Sequence, residues 1–194
     1  MKILWFDVET TGLDAKKNDI ITFAGIVEID GKIVDEIYLK IQPNDWDNIQ
    51  EEALKVNGIT REEMKTFQTP KEAHKKLISF LSKHVNRYNK LDKYQPAGYN
   101  VTFDILFLSE FFKKCNDKYF GSWIDYHKLD VATLVMFFKL KGILKLEKYR
   151  LTYVAEALNI PLKAHDAKED ILATREIFYK LLNKVKIKKE NVNV

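Results

Sequence analysis

Residues 20–41, IITFAGIVEIDGKIVDEIYLKI, decide the fold. Two runs rich in branched and aromatic residues, 20–29 and 33–41, flank Asp30-Gly31, and Asp-Gly between such runs is a strong hairpin signal. Upstream lies KILWFDVETTGL, residues 2–13, whose 3–8 segment has strand composition and whose Gly12 marks a turn. The chain therefore opens with three strands, the second and third antiparallel. Downstream, TPKEAHKKLISFLSKHV has proline near its start and apolar residues at 73, 77, 78, 80 and 81, the spacing of an amphipathic helix. A short strand is expected near 95–99, with helices near 102–114, 130–141, 150–158 and 167–185. Strands first and then helices mixed with short strands predict an α/β or α+β sheet covered by helices.

The 194 residues suit one domain, expected over 1–185, with a basic and frayed tail over 186–194. Hydrophobic residues at 46% and charged residues at 31% are ordinary for a globular protein. No apolar run approaches the ~20 residues of a membrane span, and strand pattern occupies the place of a signal peptide. A single cysteine, Cys115, excludes an internal disulfide and a cysteine zinc cluster. These features predict a cytoplasmic protein without membrane contact. The formal charge of +4 permits a nucleic-acid partner without requiring one.

Four acids break the pattern. Asp7 and Glu9 share a strand face with Ile3 and Trp5, while Leu4, Phe6 and Val8 point the other way, so both faces read as buried. Alone, the pair also reads as an exposed loop beyond the strand's end. Asp104, however, starts the apolar stripe Phe107, Leu108, Phe111, Phe112, and Asp170 starts another, Ala173, Thr174, Ile177, Phe178, Leu181. Asp166 and Glu169 instead have capping-box spacing. Core-facing acids from a strand and two helices suggest a site for hard divalent cations, Mg²⁺ or Mn²⁺, of the kind that cleaves phosphodiesters. His165, in a loop before the last helix, is placed to act as a base near neutral pH. His74, His84 and His127 have no such company and read as surface residues, as does Lys163.

In order, Asp7-x-Glu9-Thr10-x-Gly12, Asn100-x-x-Phe103-Asp104 and His165-x₄-Asp170 resemble the three motifs of the DEDDh family of 3′–5′ exonucleases, over residues 2–182. The resemblance implies a ribonuclease-H-like fold, a mixed five-stranded sheet with its first three strands antiparallel and helices on its flanks. It implies two Mg²⁺ or Mn²⁺ ions held by Asp7, Glu9, Asp104 and Asp170. It also implies that His165 deprotonates the attacking water and that nucleoside 5′-monophosphates are released. Thr10, Thr11, Gly12 and Leu13 would cradle the 3′-terminal nucleotide. Tyr99 and Phe103 would stack on bases, although Phe103 also fits core packing. Asn100 would cap its helix, orient Asp104 or touch the scissile region. The sequence departs from the family at Asn57 and Tyr99, where histidine is common.

Glu9-Thr10-Thr11-Gly12 resembles the DNA-proofreading branch more than the oligoribonuclease branch. The expected substrate is thus a single-stranded or frayed 3′ end, DNA favoured over RNA, with a replication or repair partner bound non-covalently. A non-catalytic binding module on the same fold is the competing reading, and no catalytic acid has been lost to support it.

Overall fold

The hairpin forms where the sequence puts it. In the computed structural model, which describes residues 1–162 and 167–185, β2 (Ile20–Ile29) and β3 (Lys32–Lys40) pair antiparallel. Asp30 and Gly31 both take positive φ, 50° and 83°, as this tight turn demands. β1 (Lys2–Thr10) pairs antiparallel with β2 on one side and parallel with β4 (Gln95–Gly98) on the other. A two-residue β5 (Leu129–Asp130) completes a sheet of order β3-β2-β1-β4-β5. It is the mixed five-stranded sheet, helices on both faces, that the resemblance implies.

β1 is buried on both faces, and its alternation builds two cores. Leu4, Phe6 and Val8 pack with Leu77 and Phe80 of α3 (Pro70–Leu81) and with Phe107, Phe111 and Phe112 of α4 (Thr102–Lys114). On the other face, Ile3 and Trp5 pack with α5 (Val131–Leu140), α6 (Leu151–Ala157) and α7 (Ala167–Leu182). The bounds of α4 match the sequence reading, and those of α5, α6 and α7 fall within three residues of it. Two short helices between β3 and α3, α1 (Glu51–Asn57) and α2 (Arg61–Met64), and the two-residue β5 carry too few residues for a period to show.

Two histidines read as surface residues are half-buried instead. The His74 ring meets the Asp117 carboxylate at 3.1 Å and stands edge-on to Phe112, because α3 presses that flank onto α4. His84 lies beyond the end of α3 and faces Asp35 at 3.4 Å. His127 is exposed, beside Asp125.

α7 is clamped to the sheet by a buried acid. Glu28 of β2, 1% exposed, accepts hydrogen bonds from Trp5 Nε1 at 3.2 Å, from Arg175 Nε at 2.5 Å and from the Tyr179 hydroxyl. Arg175 also donates to the Gly31 carbonyl and lies over the Tyr179 ring. Burial, reinforced by the Glu28 charge, pushes the Tyr179 phenol up to about 12. Among the described residues no helix is long and apolar enough to cross a membrane.

Candidate active site

The site begins where β1 loses its parallel neighbour. β4 pairs with β1 only over Ile3–Trp5, opposite Gln95–Ala97. Gly98 follows, and a Cβ there would stand 3.0 Å from the Phe6 carbonyl oxygen, tighter than ordinary contact. The chain then turns through Asn100, at φ 59°, into α4. That turn delivers Asp104, 4% exposed, to the edge of β1 that β4 has left. Its Oδ1 accepts the Val8 backbone N–H at 3.0 Å. Asp7 and Glu9 are half-buried at the same end of β1, on the face covered by α7. Asp170, in the first turn of α7, approaches from that layer. Acids from both layers thus meet at a strand end.

Their charges act on one another. Burial, and then the charges of Asp104, Glu9 and Asp170, hold the Asp7 carboxyl well above the usual carboxylate range. Burial pushes Asp104 up to about 7 against the pull of the Val8 N–H, with Glu9 and Asp130 adding to the rise. Asp130 is held beside them as the N-cap of α5, accepting the N–H groups of Ala132 (3.0 Å) and Asn100 (3.1 Å). Among the described residues no three His, Cys, Asp or Glu side chains are already drawn in tightly enough to cage an ion. Four hard oxygen donors whose ionised forms repel one another do fit a divalent cation, since added positive charge relieves that repulsion.

This arrangement gives cation-free protein an inverted pH response. Folded Asp7 and Asp104 keep protons that the unfolded chain releases above its ordinary aspartate value of 3.8. Their contribution is fully present below that value and is lost as pH rises through the folded values, about 7 for Asp104. Melting in EDTA should therefore fall by several degrees from pH 5 to pH 8, and Mg²⁺ or Mn²⁺ should restore it at pH 8 far more than at pH 5. A flat profile, indifferent to cations, would remove the strained cluster.

Two depressions adjoin the acids. One, of about 300 Å³, opens between the end of β1 and α1, with Glu9, Gly12, Leu13, Val56, Asn57 and Phe103 on its walls. Leu13 is 81% exposed, and Phe103 packs against Phe107 with ring centres 4.7 Å apart. The sequence placed Thr10 and Thr11 against substrate. Both are buried, with their hydroxyls turned inward: Thr10 Oγ1 donates to the Gly12 carbonyl, and Thr11 Oγ1 accepts the Asp19 N–H, while Thr10 still lines the depression. Their hydroxyls brace the loop. Gly12 is required by space, because a Cβ would meet the Asn18 side chain at 2.5 Å. Asn57 donates to the Thr10 carbonyl at 2.9 Å, a second brace.

The other depression, about 660 Å³, is walled by Tyr99, Asn100, Tyr149, Arg150, Thr152 and Asp170. The Tyr99 hydroxyl donates to the Tyr149 carbonyl, and burial, then Asp130, pushes this phenol up to about 12. Asn100 does not cap α4: Val101 holds the N-cap position, without a side-chain cap, and the Asn100 carbonyl accepts the Phe103 N–H. His165, Lys163 and Asp166 lie outside the described residues. Sequence reasoning missed Asp130 and Arg150, whose helix-end positions look ordinary, and Val56, carried by a helix of seven residues.

Comparison with known proteins adds the family. Residues 4–178 match the RNase T family of exonucleases. The PolC-type DNA polymerase III of Thermotoga petrophila is 28% identical over 181 residues, covering 93% of this chain and 12% of that protein. The DNA polymerase III subunit epsilon of Aquifex aeolicus is 26% identical over 180 residues, 92% of this chain and 79% of its own length. E. coli exonuclease I, solved in complex with a dT13 oligonucleotide, shares the fold, with a TM-score of 0.76 at 22% identity over 94% of this chain and 41% of that one. The chain therefore spans about an eighth of the PolC-type relatives and two-fifths of exonuclease I.

Proposed function

Because the chain belongs to this exonuclease family, we propose that it removes nucleoside 5′-monophosphates from the 3′ end of a single strand. The observation that carries the proposal is the meeting of Asp7, Glu9, Asp104 and Asp170, from a strand and two helices, where each charge raises the cost of the next. These four would hold two divalent cations, Mg²⁺ or Mn²⁺. Bound cations supply charge neutralisation at the phosphodiester and make water a better acid. The rest is the work of the chain's own side chains. Val8 N–H holds Oδ1 of Asp104 at the open edge of β1. His165 takes the proton of the attacking water. The terminal base enters the depression between Leu13 and Phe103, and Gly12 lets the backbone stand close to the sugar.

DNA is the favoured substrate. Relatives that are parts of DNA polymerase III and a structural neighbour that holds dT13 support this reading. The same relatives support a replication or repair partner. The test is 5′-labelled single-stranded DNA and RNA of one sequence, incubated with Mg²⁺, Mn²⁺ or EDTA. A ladder shortening from the 3′ end, absent in EDTA and faster on DNA, is expected. Intact strands under every cation condition, from folded protein, would leave a binding module.

A further inference from the structure

Residues 139–150, KLKGILKLEKYR, carry five basic side chains and one acid, Glu147. Their net +4 equals the formal charge of the whole chain, so the remainder is balanced and the excess sits in one segment. That segment joins α5 to α6 and is firmly seated. Gly142 turns the chain at φ 69°, and Leu144 and Leu146 are buried in the Trp5 layer. Alternation then leaves Lys145 and Lys148 exposed, together with Lys141.

Aromatic rings stand among these cations. Lys139 Nζ lies 4.7 Å from the centre of the Tyr149 ring, and Lys141 Nζ lies 5.8 Å from that of Phe137. The two rings are 40% and 50% exposed, leaving surface for further contact. Cations interleaved with open aromatic faces are the composition of surfaces that hold unpaired strands. The C-terminal end of the segment, Tyr149 and Arg150, forms a wall of the cleft that also contains Asp170.

We infer that residues 139–150 form a second nucleic-acid subsite, which grips the phosphodiester backbone of the strand upstream of the scissile bond. The inference rests on the exonuclease reading. Glu9 borders the depression for the terminal nucleotide and Asp170 borders the cleft, so a strand passing from one to the other carries a phosphodiester across the acids. Those acids repel a polyanion. One nucleotide in an apolar pocket offers little to offset that repulsion, whereas lysines along the upstream strand release its counterions and draw it in. Glu147 within the segment and Asp130 and Glu156 on either side are the acids nearest it along the chain, and the five cations outnumber them.

The experiment compares the K141E/K145E/K148E variant with K71E/K75E/K76E, an equal charge change on exposed lysines of α3 in the opposite layer. Binding of 5′-fluorescein dT and rU 20-mers is followed by anisotropy in EDTA between 50 and 200 mM salt, after melting curves verify the fold of both variants. Wild type and the α3 variant should bind alike. The 139–150 variant should bind about tenfold weaker or worse, its slope of log K against log salt shallower by about two, since each lost phosphate contact is worth ~0.7 on a single strand. Equal binding by the two variants, or no binding by wild type, would overturn the subsite. Cation is then added to wild type: binding without shortening would overturn the exonuclease reading and leave the subsite standing. The dT and rU arms report which sugar the surface prefers.

Discussion

Asp7→Asn is expected to cut hydrolysis by at least about a thousandfold while raising the melting temperature of cation-free protein at pH 8. The two effects have one origin. Asp7 lies under the combined field of Asp104, Glu9 and Asp170 and pays a further penalty for burial, so its charge is costly in the absence of cation. Asparagine keeps the shape and removes that charge, which also relieves the three neighbours. The same charge is needed to hold cations against a phosphodiester, a contribution of several kcal/mol, and each 1.36 kcal/mol is tenfold in rate. Initial rates on a labelled 20-mer measure the first effect, and melting in EDTA at pH 8 measures the second. Turnover near that of wild type would take Asp7 out of the site. A lowered melting temperature would refute the account of repulsion.

The second large effect is expected far from the chemistry. Glu28→Ala should destabilise the protein by about 3 kcal/mol, the lower end of the range for breaking a buried ion pair. It leaves the Arg175 guanidinium, the Tyr179 hydroxyl and the Trp5 N–H without the carboxylate they share. Arg175 is 22% exposed at its side chain, so water recovers part of the loss. For a chain of this length the melting temperature should fall by roughly 6–12 °C. Urea titration measures the difference, and a loss below about 1 kcal/mol would show that packing alone seats α7. Asp170 stands about a turn and a half before Arg175 on the same helix, so this clamp fixes how α7 presents its acid.

Much of the fold was legible because local signals agreed. Asp30-Gly31 announced the hairpin, and the alternation Leu4, Phe6, Val8 against Ile3, Trp5 announced a strand covered on both faces. Asp104 and Asp170 were legible for the opposite reason, since an acid heading an apolar stripe contradicts its surroundings, as does Asp7 on the strand face of Ile3 and Trp5. The same test applied to Glu28 would have found it on the face of Ala24 and Ile26, but its partner Arg175 is 147 residues away in sequence and no period connects them. Asp130 and Arg150 sit at helix ends, where a polar residue raises no question. Thr10 and Thr11 entered the nucleotide cradle through the resemblance alone. Only the three-dimensional loop shows their hydroxyls turned inward. α1 was invisible as a helix, with seven residues and one buried side chain.

The acids come from distant parts of the chain, and translation therefore makes them available in sequence. β1 and α4, with Asp7, Glu9 and Asp104, are complete by Lys114, while α7 begins at Ala167. At ordinary elongation rates the ribosome needs roughly 3–10 s to make the intervening residues. Throughout that interval the nascent chain holds three acids without the fourth and without His165. The four-acid cluster is in this way completed only when the last helix docks.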